Sequence, residues 1–135
     1  MIRVAGNVVA PSQIGSVEFA AEQFGTRLVV VLGHSQCGAV AATLEQLERP
    51  TEARSPNLKA IVDRIRPSVE PLLAGGHGQD RDVLLQNAVR ANVLAAADRL
   101  RHGSPARRLV RRGRGERARR RDAQGAEGRS HHQGG

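Results

Sequence analysis

The sequence has no tryptophan and no tyrosine, and only two phenylalanines, Phe19 and Phe24, among its 135 residues. Its core must therefore be aliphatic, built from Val, Leu, Ile and Ala. There is one cysteine, Cys37, so no internal disulfide can form, in keeping with a reducing compartment. No apolar run approaches the ~20 residues that a membrane-spanning helix needs. The N-terminal segment MIRVAGNVVA lacks the basic start, apolar middle and cleavage site of a signal peptide. A cytoplasmic protein with no membrane partner is the expectation. Lysine is nearly absent as well: Lys59 stands alone, and all other basic residues are Arg.

The charge is unevenly placed. The chain carries a formal +8, yet residues 1–100 balance their basic and acidic side chains, and residues 101–135 hold the whole excess. The expected organisation is thus one α/β domain over residues 1–105 and an Arg- and Gly-rich tail over 106–135. That tail has almost no large apolar residue after Val110 and cannot offset the entropy of ordering its backbone, so disorder is expected there. The abrupt loss of patterning also fits a shifted reading frame of GC-rich DNA.

Within residues 1–105 the pattern alternates. MIRVA reads as a short β segment ending at the turn-prone pair Gly6-Asn7. Ile14, Val17, Ala20, Ala21 and Phe24 have helical spacing, with Gly25 as the stop. TRLVVVLG is a continuous β-branched run and predicts a strand buried on both faces. GAVAATLEQLE predicts a helix ending near Pro50. The next helical pattern presents Leu58, Ile61, Val62 and Ile65, and Pro67 and Pro71 are expected to break or kink it. The last presents Val83, Leu84, Asn87, Ala88, Ala91, Leu94 and Ala95 and closes at Gly103 and Pro105. Helix, strand, turn and helix predict an α/β class with a mostly parallel β-sheet flanked by helices.

The chemistry concentrates in GHSQC, Gly33 to Cys37, between the predicted strand and helix. One reading is a nucleophile elbow, close to G-x-S-x-G, with Ser35 as the nucleophile. It falters where Cys37 replaces the last glycine and where no oxyanion segment accompanies it. A second is half of a metal site: His34 and Cys37 place a nitrogen and a sulfur ligand on one tight turn, a pairing suited to Zn²⁺. Cys37 would lie at a helix N-terminus, which favours a thiolate. A third is a plain corner with a packed cysteine. His77, His102, His131 and His132 read as surface or tail residues.

IRVAGNVV, the run IGSVEFAAEQFGTRLVVVLGHSQCGAVAA and QNAVRANVLAAADRLR together resemble the β-class carbonic anhydrases, over residues 1 to about 103. The resemblance implies a carbonate dehydratase, a zinc lyase that reversibly hydrates CO₂ to bicarbonate through zinc-bound hydroxide. It implies His34 and Cys37 as two of three protein zinc ligands. Gly6 and Asn7 would shape the wall of the substrate pocket, and Gly38 and Ala39 would bring backbone to it. A homodimer or higher homo-oligomer is implied too. In the family the third ligand comes from a Cys-x-Asp-x-Arg motif upstream of the Gly-Asn strand end. This sequence does not contain that motif, so no catalytic Asp–Arg pair is assigned and the activity is expected to be impaired. The competing function uses the tail: Arg107 to Arg121 would bind nucleic acid or an anionic surface without specificity, since no aromatic residue lies among them to stack on bases.

Overall fold

The computed structural model describes residues 1–51, 55–75 and 78–104. The tail over 106–135 and its proposed nucleic-acid contacts lie outside the described residues, as do His77, His131 and His132. A single 3₁₀ turn, Ala5–Asn7, precedes four α-helices: α1 Pro11–Phe24, α2 Gly38–Glu48, α3 Pro56–Gly75 and α4 Arg81–Gly103.

Each helix starts and stops for a local reason. Pro11 opens α1 at a position where its missing N–H loses nothing, and the Gln13 side chain accepts from the Ala10 N–H at 3.2 Å. Gly25 ends α1 in the left-handed region at φ 62°, and the Thr26 N–H turns back to the Ala20 carbonyl at 3.2 Å. Asp80 caps α4, its Oδ1 accepting from the Asp82 N–H at 2.7 Å.

Two expectations fail here. The described residues contain no strand, so the parallel sheet flanked by helices is not formed. A strand exists only where a neighbour takes its N–H and C=O groups. The two β-type segments, Ile2–Val4 and Leu28–Leu32, exchange no backbone hydrogen bond with each other. The predicted doubly buried strand is instead largely exposed, with Leu28 at 75% and Val30 at 62%. The second correction concerns α3: the expected break is not made, and one helix runs through Pro67 and Pro71. Both prolines are exposed and four residues apart, so they share one outer face. The carbonyls deprived of a donor there can turn to water.

The core lies between α2, α3 and α4. Val40 and Leu44 from α2 meet Ile65 and Val69 from α3 and Leu84, Leu85 and Ala88 from α4, with Cys37 at the edge of the cluster. Of the predicted face of α4, Leu84 and Ala88 are buried, but Leu85, Asn92 and Ala96 are inside as well, whereas Val83 and Leu94 are exposed. None of the apolar residues of α1 is fully buried. No described helix is long and apolar enough to cross a membrane.

Candidate metal centre

Gly33 delivers the chain into the turn. A Cβ on it would stand 2.6 Å from Cγ2 of Val93 and 3.1 Å from Cγ1 of Val89, so only glycine lets the backbone pass this close to α4. Asn7 fixes the approach from the other side, its Nδ2 donating to the Leu32 carbonyl at 2.8 Å. The chain then reverses at Ser35-Gln36, with Gln36 at φ 56°, and Cys37 becomes the N-cap residue of α2.

His34 is exposed on this turn, and its Nδ1 lies 2.8 Å from the Ser35 carbonyl. A carbonyl only accepts, so the proton of that bond sits on Nδ1. The neutral ring then keeps its lone pair on Nε2, the tautomer in which a histidine can ligate a metal while its other nitrogen is held by backbone. Cys37 is 6% exposed, packed against the core, and has no disulfide partner. Its side chain makes no capping hydrogen bond to α2.

The predicted wall residues are placed as follows. Gly6 is buried at φ 63°, and a Cβ on it would stand 3.1 Å from Cβ of Ala39, so the Ala5–Asn7 turn and the start of α2 adjoin. Asn7, itself at φ 51°, links this pair to Leu32. Gly38 is exposed, with open space where a Cβ would be. Two residues that sequence reasoning passed over complete the arrangement. In the sequence Gly33 is only the first residue of the GHSQC motif, and its contact with α4 is a tertiary matter. Asn92 is buried in α4 and its Nδ2 donates to the Gly6 carbonyl at 2.6 Å. A polar residue amid alanines on a helix face was the available signal.

These residues do not by themselves make a complete zinc site. Three protein ligands are usual for a catalytic zinc. The turn offers two candidate donors, His34 and Cys37, and among the described residues no group of three or more His, Cys, Asp or Glu side chains could hold a metal ion. A shallow hollow of about 430 Å³ lies along Leu94, Ala97, Asp98 and Arg101 of α4, and a smaller one is lined by Asn7, Arg64 and Asn92. Asp98 and His102 pair with each other at 3.0 Å on the exposed side of α4.

Comparison with known proteins agrees with the motif. The carbonic anhydrase family model matches residues 1–116. A carbonic anhydrase of Mycolicibacterium smegmatis is 42% identical over 69 residues, which are 51% of this chain and 33% of that protein. Carbonic anhydrase 2 of Mycobacterium tuberculosis is 38% identical over 69 residues, with the same coverage. A carbonic anhydrase of Helicobacter pylori is 31% identical over 80 residues, 53% of this chain and 36% of that protein. The chain thus spans about a third of the length of the curated relatives it matches. With the family model running through both the Gly6-Asn7 turn and the His34–Cys37 turn, the chain belongs to the carbonic anhydrase family, in its β class.

Proposed function

We propose that this chain serves carbonic anhydrase chemistry, the reversible hydration of CO₂ to bicarbonate, with low capacity when it acts alone. The observation that carries the reading is the family match over residues 1–116, which takes in the whole His34–Cys37 turn. Within this reading CO₂ and bicarbonate are the substrates and zinc is the cofactor. His34 and Cys37 supply two of the zinc ligands, and Gly6, Asn7, Gly38 and Ala39 form the wall beside them. Assembly with further copies of the chain belongs to the same reading.

The low capacity follows from the donor set. Two ligands leave most of the coordination to water, and such a metal exchanges readily. What its own residues do is limited and definite. The Ser35 carbonyl holds the His34 ring in one tautomer, and Asn7 and Gly33 hold the turn against α4.

The test is zinc content after dialysis of the full chain, followed by stopped-flow CO₂ hydration with a pH indicator. Substoichiometric zinc and a rate near that of buffer are expected, with His34→Ala and Cys37→Ser each removing the residual metal. A full equivalent of zinc with fast hydration would overturn the low capacity. Residual metal indifferent to both substitutions would overturn the ligand assignment.

A further inference from the structure

Residues 27–36 carry His34 into its turn with little support from their own backbone. Among the described residues no backbone-to-backbone hydrogen bond engages them. The course of the chain just before His34 is therefore set by side chains, through two contacts. The Leu32 carbonyl accepts from Nδ2 of Asn7 at 2.8 Å. The Gly33 backbone lies against Val89 and Val93 of α4, which leave no room for a Cβ.

Asn7 holds Leu32 only if it is held itself. It stands at φ 51°, next to Gly6 at φ 63°. Left-handed backbone is strained for a residue with a Cβ and persists where its neighbours over-determine it. The bonds within the Ala5–Asn7 turn are stretched: Asn7 N–H to the Val4 carbonyl and Val8 N–H to the Ala5 carbonyl are each 3.4 Å. The short bond comes from outside the turn. Asn92, 6% exposed on α4, donates from Nδ2 to the Gly6 carbonyl at 2.6 Å. A short bond in a buried setting outweighs two at the limit of bonding distance. Asn92 adjoins Val93 and follows Val89 by three positions, so one stretch of α4 serves both contacts. The contacts close a ring: α4 to Gly6, Gly6 to Asn7, Asn7 to Leu32, and Leu32 through Gly33 back to α4.

We propose that Asn92 is a positioning residue for the His34–Cys37 turn, acting through Gly6 and Asn7. It fixes the Leu32-Gly33 peptide, and with it the point from which the His34 ring reaches the Ser35 carbonyl through Nδ1 and keeps Nε2 free. A merely structural Asn92 would satisfy the buried Gly6 carbonyl and leave the His34 ring unaffected. The metal readout below rests on His34 and Cys37 being the ligands, as in the reading above; the ring readout does not.

The experiment labels the histidines of the full chain with ¹⁵N and reads the His34 ring, metal-free, at about pH 8, where histidine is ordinarily neutral. Co²⁺ is then titrated, and the thiolate-to-cobalt charge-transfer absorption is followed; Cys37 is the one cysteine that can give it. The unsubstituted chain should hold the Nδ1–H tautomer. Asn92→Leu should move the ring toward the tautomer mixture of free imidazole and weaken Co²⁺ binding about tenfold, the lower end of what losing an outer partner costs a metal site. Asn92→Gln, which still carries a donor, should recover part of both. Asn7→Gly should reproduce the change, and the double variant with Asn92→Leu should add nothing to it, because one route is cut once. Val62→Ala, buried on α3 outside the cluster that holds Cys37, should lower stability and move neither readout. If Asn92→Leu does not fold, Asn92→Ser, polar but too short to reach Gly6, is read in its place. A ring already in the free mixture, a ring indifferent to position 92, additive effects at Asn7 and Asn92, or the same change in Val62→Ala each overturns the proposal. A chain with no thiolate–cobalt absorption overturns the ligand reading of Cys37, and the ring still decides the role of Asn92.

Discussion

Gly6 joins three parts of the molecule. It sits at φ 63°, where a side chain is strained. A Cβ added there would come within 2.5 Å of Cδ1 of Ile65, and its carbonyl takes the buried Asn92 amide at 2.6 Å. The Ile65 methyl is the flexible end of a side chain and can yield, so strain and repacking set the cost, not an absolute block. Gly6→Ala should lower unfolding free energy by about 1–3 kcal/mol, read by urea denaturation. The turn-forming character of Gly6-Asn7 is plain in the sequence. That the turn is buried under α3 is not, because the contact joins residues nearly sixty positions apart. The same holds for Asn92. Its burial is intelligible only once its hydrogen-bond partner is known, since a buried amide without one is destabilising.

At the scale of the helix, local chemistry accounts for ends and surfaces. α3 carries an i, i+4 pair in which Lys59 Nζ donates to Oδ2 of Asp63 at 2.7 Å. That hydrogen bond, with the charges of Lys59 and Arg66, holds the Asp63 carboxyl below its ordinary value of 3.8. A carboxyl depressed in the folded state stabilises it above the ordinary value, and the contribution fades as pH falls through the lowered one. An NMR titration should therefore place the Asp63 midpoint below 3.8, and Lys59→Ala should return it toward that value. Pro67 and Pro71 show where local rules are overridden. Each removes an N–H donor, but the loss falls on an exposed face, while Ile65 and Val69 on the opposite side are fully buried in the core. Packing along the inner face keeps α3 continuous against two unfavourable residues.

At the scale of the whole molecule, the described residues form three packed helices with an N-terminal turn, a loosely attached α1 and a β-type segment that pairs with none of them. Leu44 and Leu94 separate what periodicity suggests from what packing selects. Both lie on amphipathic patterns, yet Leu44 is fully buried and Leu94 is 70% exposed. Leu44→Ala should cost about 2–5 kcal/mol, and Leu94→Ala should stay within about 0.5 kcal/mol, as thermal or chemical unfolding would show. An equal effect at the two sites would mean that α4 presents the face its periodicity predicts.

Short-range information carried the four helical patterns, the Gly25 stop and the motifs of the family, because each depends on residues close together in the chain. The sequence by itself placed His34 and Cys37 on one short turn for the same reason: residues three positions apart cannot be far apart along the chain. Only the tertiary structure decided which face of α4 is buried, that Gly6 lies beneath Ile65 and that Asn92 holds it. It also decided that Leu28 to Leu32, the most strand-like run in the chain, forms no sheet. A helix satisfies its backbone from within, so its pattern suffices to predict it. A strand satisfies its backbone from a neighbour, and among the described residues none is placed beside this one.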